Sequence, residues 1–178
     1  MEKPQGILLF GANGCGKTTL GHALALKLRF WHLDIEEYAF RPSKIPYTDV
    51  RPKAEYISLM LSDIKRRGDF VASTVTGDLG EEITALYRLA VRMNAPQELR
   101  ANRVKQRGID RFGERVQAGG DMFEQNNAFL EFAATRPLER IDAWAKTLTC
   151  PLLTVDGTAD ITENTEIIAQ RFAQVCKM

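Results

Sequence analysis

The sequence has 178 residues, 44% of them hydrophobic, and its 24 basic and 23 acidic residues leave a net charge of +1. This length and apolar content predict one domain, residues 1–178, around one substantial core. The balanced charge disfavours nucleic acid as a partner, and the sequence has neither an apolar run of spanning length nor a signal-peptide pattern, so we expect a cytoplasmic protein that binds small molecules and not membranes.

The first half of the chain alternates short apolar runs with helical patterns. The run Gly6–Phe10 predicts a buried parallel strand, and Lys17–Leu28 predicts a helix after a glycine-rich turn. Residues 30–35 predict a second strand that ends in acids. A helix predicted over Lys53–Arg67 should end at Gly68.

The second half continues the alternation to the end of the chain. Proline in the first turn, glycine stops and an acidic cap mark its helices. The predicted strands are 70–74, 88–93 and 152–155, and the predicted helices are 81–87, 97–107 with a stop at Gly108, 122–134, 137–148 and one that Asp160 caps.

This alternation predicts an α/β fold of three α/β/α layers with a five-stranded, mainly parallel sheet. Ligands of such sheets bind beyond the carboxyl ends of the strands. The sequence motifs that carry chemistry all fall at those ends.

A phosphate-binding motif follows the first predicted strand. Residues 11–18 read Gly-Ala-Asn-Gly-Cys-Gly-Lys-Thr, which matches GxxxxGK[ST] in the required context of strand and helix. Its glycines let the backbone wrap an anion, Lys17 supplies charge for the β- and γ-phosphates, and Thr18 supplies a hydroxyl for Mg²⁺. The predicted ATP site consists of Gly11, Ala12, Asn13, Gly14, Cys15, Gly16, Lys17, Thr18 and Thr19.

Three further segments carry a resemblance to a known family. Residues 30–38, FWHLDIEEY, and residues 72–77, ASTVTG, resemble strand ends of the nucleoside-monophosphate-kinase-like and shikimate-kinase-like P-loop phosphotransferases. Residues 107–122, with RFGER and GGDM, look like the lid of a bacterial group labelled adenylate-kinase-related or AAA-family ATPases. The resemblance implies a P-loop NTPase fold, a helical lid over about 108–122 and an acceptor-binding segment over about 36–68.

The resemblance also assigns roles to acids after the second strand. In these kinases an acid there meets the water shell of Mg²⁺ or the acceptor hydroxyl, which implies a catalytic and metal role for Asp34 beside Thr18. The roles of Glu36 and Glu37 stay open. The third strand ends in Ser-Thr, where many P-loop proteins have an aspartate, and this departs from the pattern.

Four arginines recur every four residues: Arg103, Arg107, Arg111 and Arg115. Because Gly108 and Gly113 argue against one continuous helix, we expect a flexible lid whose guanidinium groups close over the triphosphate. The resemblance implies that Arg107 lies near the nucleotide and that Arg111 and Arg115 are catalytic lid residues. We interpret Arg103 as part of a solvated helix face.

Other residues have two readings of equal weight. Asp156 and Gly157 follow the last strand, where the resembled kinases hold adenine, but Asp-Gly also suits an ordinary turn. Arg41 and Arg51 could bind an anionic acceptor group or lie on the surface. The two histidines have no second ligand suggested nearby, so we expect no metal there.

The sequence leaves two functions open. One is an ATP-dependent phosphotransferase that moves the γ-phosphoryl of ATP-Mg²⁺ to a small-molecule hydroxyl or phosphate, as an arginine-rich, water-excluding lid favours. The other is an ATP-binding switch or weak ATPase without a dedicated acceptor, which the missing aspartate of strand three favours. No residue pattern identifies the acceptor.

Overall fold

The central element is a five-stranded sheet, seen in a computed structural model that describes residues 3–177. Its strands are β1 Gly6–Phe10, β2 Trp31–Asp34, β3 Phe70–Thr74, β4 Tyr87–Asn94 and β5 Leu152–Asp156. They pair in the order β2-β3-β1-β4-β5, and every pair is parallel. The predicted fold class is confirmed, with a sheet that is wholly parallel.

Helices connect these strands. Within the described residues they are α1 Lys17–Leu28, α2 Ile35–Ala39, α3 Lys53–Arg67, α4 Glu81–Thr84, α5 Gln97–Phe112, α6 Phe123–Thr135, α7 Glu139–Ala145 and α8 Ile161–Val175, with a 3₁₀ turn at Gly113–Val116. None of the helices in this part of the chain has the length and apolar character needed to cross a membrane.

Two hydrophobic cores lie on opposite faces of the sheet. Alternate residues of β1 point to opposite faces, so Leu8 and Phe10 enter one core and Ile7 and Leu9 enter the other. The first core includes residues of α3 and α7, and the second includes residues of α1 and α8. Helices on both faces explain why β1 and β3 are buried throughout.

Helix α5 is longer than the sequence predicts. It passes through Gly108 and ends at Gly113, whose φ is 54° and whose N–H donates to the Ile109 carbonyl. A Cβ on Gly108 would lie 2.8 Å from Oδ1 of Asn126 in α6. The prediction of a stop at Gly108 is wrong because this glycine allows two helices to approach closely.

A short helix and a loop follow β2, where the sequence suggested only an acidic loop. Asp34 caps α2, since its Oδ1 accepts a hydrogen bond from the Glu36 N–H at 3.0 Å. The chain then leaves and returns, and Phe40 and Val50 pair in an antiparallel bridge. We call residues 41–50 the returning loop.

Two arginines stabilise the returning loop: Arg41, its first residue, and Arg51, which follows its last residue. Arg51 donates to the carbonyls of Tyr38 and Phe40 at 2.7 and 2.8 Å. Arg41 pairs with Asp49 and Glu55. Partners within the same chain therefore occupy both guanidinium groups. This disfavours the reading in which these arginines bind an anionic acceptor group.

The start of α8 agrees with the sequence. Oδ1 of Asp160 accepts hydrogen bonds from the N–H groups of Thr162 and Glu163 at 2.7 and 3.2 Å. This acidic cap satisfies two backbone donors that the helix itself leaves free.

Candidate active site

The phosphate loop lies between β1 and α1 and is tightly packed. Gly14 has φ of 80°, and a Cβ there would lie 2.3 Å from the Arg100 carbonyl oxygen. A Cβ on Gly11 would lie 2.5 Å from the Met93 carbonyl oxygen. Only glycine fits these positions, and the first N–H groups of α1, which have no acceptor within the helix, could bind an anion.

Arg100 supports this loop from α5. The residue is 4% exposed, and its Nε donates to the Ala95 carbonyl at 3.2 Å. Its NH1 is buried without a hydrogen-bond partner among the described residues. The loop therefore packs against the backbone of Arg100, whose side chain is buried with one guanidinium nitrogen unpaired among the described residues.

Lys17 lies back over its own loop. Its Nζ donates to the Ala12 carbonyl at 2.8 Å and lies 3.7 Å from the Sγ of buried Cys15. Loss of hydration lowers the pKa of Lys17, while the nearby Cys15 and Glu36 oppose this change. A phosphate would replace a single carbonyl as the partner of this ammonium.

Thr18 and Asp34 meet beside the phosphate loop. The Thr18 hydroxyl donates to Oδ2 of Asp34 at 3.2 Å, which joins the first turn of α1 to the end of β2. Hydroxyl, carboxylate, phosphate and water oxygens are the ligands that Mg²⁺ takes in such sites. Residues 3–177 contain no cluster of three or more acidic, histidine or cysteine side chains fit for a metal, so the predicted pair would depend on phosphate and water.

A serine and a histidine lie where the expected strand-three aspartate is absent. Ser73 pairs with Asp34 in the strand register, donates to the Lys17 carbonyl at 3.2 Å, and lies 2.8 Å from Nε2 of His32. Ser73 thus fixes the start of α1 and the imidazole of His32.

The two histidines adjoin each other, which corrects the expectation that each stands alone. The rings of His22 and His32 are 4.2 Å apart between centroids. Burial, with a smaller effect from His22, lowers the pKa of His32 to about 4. His32 is therefore neutral at neutral pH.

A cleft of about 480 Å³, the nucleotide cleft, opens beside the phosphate loop. Its predicted lining residues are Gly14, Gly16, Lys17, Thr18, Thr19, Arg107, Arg111 and Gly157. Gly157 belongs here because a Cβ on it would lie 2.4 Å from the Cys15 carbonyl oxygen. Asp156 instead shapes the turn, since its Oδ1 accepts from the N–H and hydroxyl of Thr158 at 2.8 Å.

Two arginines of this region were misread or missed from the sequence. Arg103 lines the nucleotide cleft and donates to the Gly157 carbonyl at 3.0 Å, so its interpretation as a solvated helix face is wrong. Arg136 donates to Oδ1 of Asn13 in the phosphate loop at 3.2 Å. No sequence pattern points to Arg136, because its partner is 123 positions away.

The two predicted lid arginines lie differently. Arg111 lines the nucleotide cleft and donates to the Tyr47 hydroxyl at 2.9 Å. Arg115 lies outside that lining: it pairs with both carboxylate oxygens of Asp121 at 2.9 Å and donates to the Lys44 carbonyl at 3.0 Å. Both side chains thus hold the returning loop against the end of α5.

A second cavity of about 270 Å³ adjoins the nucleotide cleft. The two share Val104, Arg107 and Arg111 as lining residues. The rest of its wall comes from α2, the returning loop, α5 and α6. It has room for a small molecule next to the phosphate loop, and we call it the acceptor cavity after the role that we propose for it below.

No protein-family model matches the chain. The chain is 29% identical over 168 residues to the uncharacterized protein YqaC of Bacillus subtilis (strain 168). The aligned region covers 90% of this chain and 93% of that protein.

Two solved structures are similar over their whole length. A gluconokinase from Sinorhizobium meliloti 1021 has a TM-score of 0.55 and 14% identity, over 99% of this chain and 96% of that one. A shikimate kinase from Bacteroides thetaiotaomicron has a TM-score of 0.55 and 21% identity, over 98% of this chain and 99% of that one. The chain therefore has the fold of these small-molecule kinases.

Proposed function

We propose that this protein is an ATP-dependent phosphotransferase that moves the γ-phosphoryl of ATP-Mg²⁺ to a small-molecule acceptor bearing a hydroxyl or a phosphate. The observation that carries the proposal is the acceptor cavity, which opens beside the phosphate loop and shares Arg107 and Arg111 with the nucleotide cleft. Transfer between two substrates requires two adjacent sites, whereas hydrolysis requires one. The kinase folds of the similar structures support the same reading.

The phosphate loop would bind and orient the triphosphate. Backbone N–H groups at the start of α1 bind phosphate oxygens, and the Lys17 ammonium exchanges the Ala12 carbonyl for the β- and γ-phosphates. Thr18 and Asp34, already in contact, would hold Mg²⁺. The metal, when bound, neutralises charge on those phosphates.

The arginines of α5 would divide the remaining tasks. Arg103 and Gly157 border the nucleotide cleft where the base would lie, with Arg107 beside them. Arg111, at the junction of cleft and cavity, would stabilise charge on the phosphoryl group in transit. The lid over about 108–122 and the returning loop would exclude water from the transfer.

The decisive experiment compares two lysines of α1. Lys17→Ala should lower ADP release from ATP-Mg²⁺ by at least about a hundredfold, since one strong contact to the transferring group is lost. Lys27→Ala is the matched control, because Lys27 pairs with Glu166 on the surface. Both variants should keep the wild-type melting temperature, and wild-type turnover in Lys17→Ala would refute the proposal.

One observation favours an alternative, an ATP-binding switch or weak ATPase. Ser73 and His32 lie where an aspartate directed at the metal is expected, and both are engaged in holding α1 and β2. Under this alternative, ADP release is the same with and without any acceptor. A coupled ADP assay across a panel of acceptors distinguishes the two functions.

A further inference from the structure

The nucleotide cleft extends beyond the phosphate loop to the start of α8. There its lining includes the apolar residues Leu20, Ala159 and Ile161, together with Asn164 in the first turn of α8. Within residues 3–177 the lining contains no aspartate and no glutamate. Apolar walls with a few convergent polar groups are typical of a site for a flat heterocyclic ring, so this part of the cleft suits the base.

The amide of Asn164 has a fixed orientation. The residue is 4% exposed, and its Nδ2 donates to the Asp156 carbonyl at 2.8 Å. A flipped amide would set two acceptors against each other, so the nitrogen and not the oxygen faces this carbonyl.

The other end of this amide, Oδ1, is an open acceptor. Oδ1 accepts no hydrogen bond within residues 3–177, yet it is not among the unpaired side-chain atoms there that are sealed from solvent. Because Asn164 lines the nucleotide cleft and exposes little other surface, Oδ1 is reached through the cleft. An acceptor in a nearly buried residue is satisfied when a ligand donates to it.

The backbone carbonyls of the neighbouring turn already have donors. The Gly157 carbonyl accepts from NH1 of Arg103 at 3.0 Å. The Asp156 carbonyl accepts from Asn164 at 2.8 Å and from the Ala159 N–H at 3.2 Å. Beyond the first turn of α1, Asn164 contributes the only side-chain oxygen to the cleft lining in the described part of the chain.

We propose that Asn164 determines which base the protein binds, because its Oδ1 accepts a hydrogen bond from the exocyclic amino group of adenine. Hypoxanthine has a carbonyl in place of that amino group, which would set two acceptors against each other. Guanine presents a ring N–H and an amino group side by side, which require two acceptors such as those of a carboxylate, and the described lining has none. This inference rests on the proposed ATP-dependent function and specifies the residue that selects ATP.

The first experiment measures nucleotide binding without turnover. Titration calorimetry with Mg²⁺ would compare ADP with purine riboside diphosphate, in which a hydrogen replaces the amino group, and with the diphosphates of inosine and guanosine. Purine riboside diphosphate should bind about tenfold more weakly than ADP, as for the loss of one buried hydrogen bond. The inosine and guanosine diphosphates should bind more weakly still, since each leaves a polar group without a partner.

The second experiment removes the acceptor. Asn164→Leu should weaken ADP binding by about tenfold and should bind ADP and purine riboside diphosphate with equal affinity. Asn127→Leu is the matched control, because Asn127 is exposed on α6 and does not line the cleft. Melting temperatures would show whether both variants fold, and the wild-type comparison decides the inference even where Asn164→Leu does not fold.

Three outcomes would overturn the inference. They are equal binding of ADP and purine riboside diphosphate by the wild type, tighter binding of the inosine or guanosine diphosphate than of ADP, and an amino-group preference that survives in Asn164→Leu. Failure of the proposed function looks different: ADP binds with the expected preference, yet no acceptor raises ADP release from ATP. The two proposals are therefore tested separately.

Discussion

Two carboxylates that are close in sequence have different surroundings. Both oxygens of Asp34 are engaged, one by the Glu36 N–H and the other by the Thr18 hydroxyl. Glu36 lines the acceptor cavity, and its carboxylate has no hydrogen-bond or ion-pair partner in the described chain. Because Asp34 caps α2, it sets the position of Glu36 as well as that of the Thr18 hydroxyl.

We expect Asp34→Asn to lower kcat by about tenfold to a hundredfold and to change ATP affinity little, since its proposed partners are hydrated metal and acceptor. Stability should be nearly unchanged, because asparagine also caps helices well. Turnover kinetics and titration calorimetry would measure this beside Glu37→Gln, a neighbouring carboxylate on the exposed side of α2. A defect confined to ATP binding would reassign Asp34 to the nucleotide.

His32 should make stability depend on pH. Its pKa in the fold is about 4, below the ordinary value of 6.5. Between these two pH values the unfolded chain therefore binds a proton that the folded chain does not bind. The contribution is present above pH 6.5 and is lost as pH falls towards 4. Urea unfolding across this range should show about 1–2 kcal/mol more loss in wild type than in His32→Gln, after allowance for partial screening. Parallel curves for the two proteins would show that His32 titrates normally.

At the scale of residues, the positions that belong to a motif were predictable from the sequence. Contacts that depend on the tertiary arrangement of distant segments were not. The phosphate loop was predictable from the fixed spacing of its motif, and the pairing of Thr18 with Asp34 was expected from the resemblance to known kinases. The four-residue spacing of Arg103, Arg107 and Arg111 shows that they share one face of a helix. It does not show whether that face meets solvent or the Gly157 turn. Arg136 reaches Asn13 only through the tertiary fold.

At the scale of elements, α5 and the returning loop determine the shape of both cavities. Arg103, Arg107 and Arg111 lie one turn apart on a continuous 16-residue helix and not on a broken flexible segment. Arg115 follows the end of that helix and turns to Asp121. Three contacts, from Arg111, Arg115 and Gln125, hold the returning loop in place.

The lid arginines should therefore give three different signatures. Arg111→Ala should cost about 2–4 kcal/mol of barrier, seen mainly in kcat, if it contacts the transferring group. Arg107→Ala should weaken nucleotide binding, and Arg115→Ala should raise protease cleavage in residues 41–50 and 108–120. Kinetics, nucleotide affinities and limited proteolysis with and without ATP analogue would measure these effects, with exposed Arg66→Ala as the control.

Wild-type behaviour in all three lid variants would reduce this region to a charged surface. A fall in kcat for Arg115→Ala without new cleavage would instead place that guanidinium on the triphosphate. In that case the ion pair with Asp121 would have to open during the reaction.

Element boundaries were predictable where burial alone determines them. The apolar runs of β1 and β3 predict those strands to the residue, since a strand covered on both faces must be apolar throughout. The end of α5 was not predictable, because the sequence does not show whether Gly108 ends a helix or allows another helix to pack closely against it. Helix α2 was missed because it has only five residues and depends on its cap.

At the scale of the whole molecule, the sheet order brings the site together. β1 is central, between β3 and β4, so the phosphate loop meets residues from the ends of its neighbours. The alternation of strands and helices predicts this class of fold but not the order of its strands, which depends on long-range pairing.

The buried guanidinium of Arg100 has a consequence for the stability of the entire chain. A buried N–H group without an acceptor costs free energy, so Arg100→Met should raise the free energy of unfolding by about 1 kcal/mol in urea titrations. Lower stability would show that the guanidinium supports the fold. If stability rises while ATP affinity falls, the Arg100 side chain destabilises the fold but supports nucleotide binding. Selection has then favoured activity over stability at this residue.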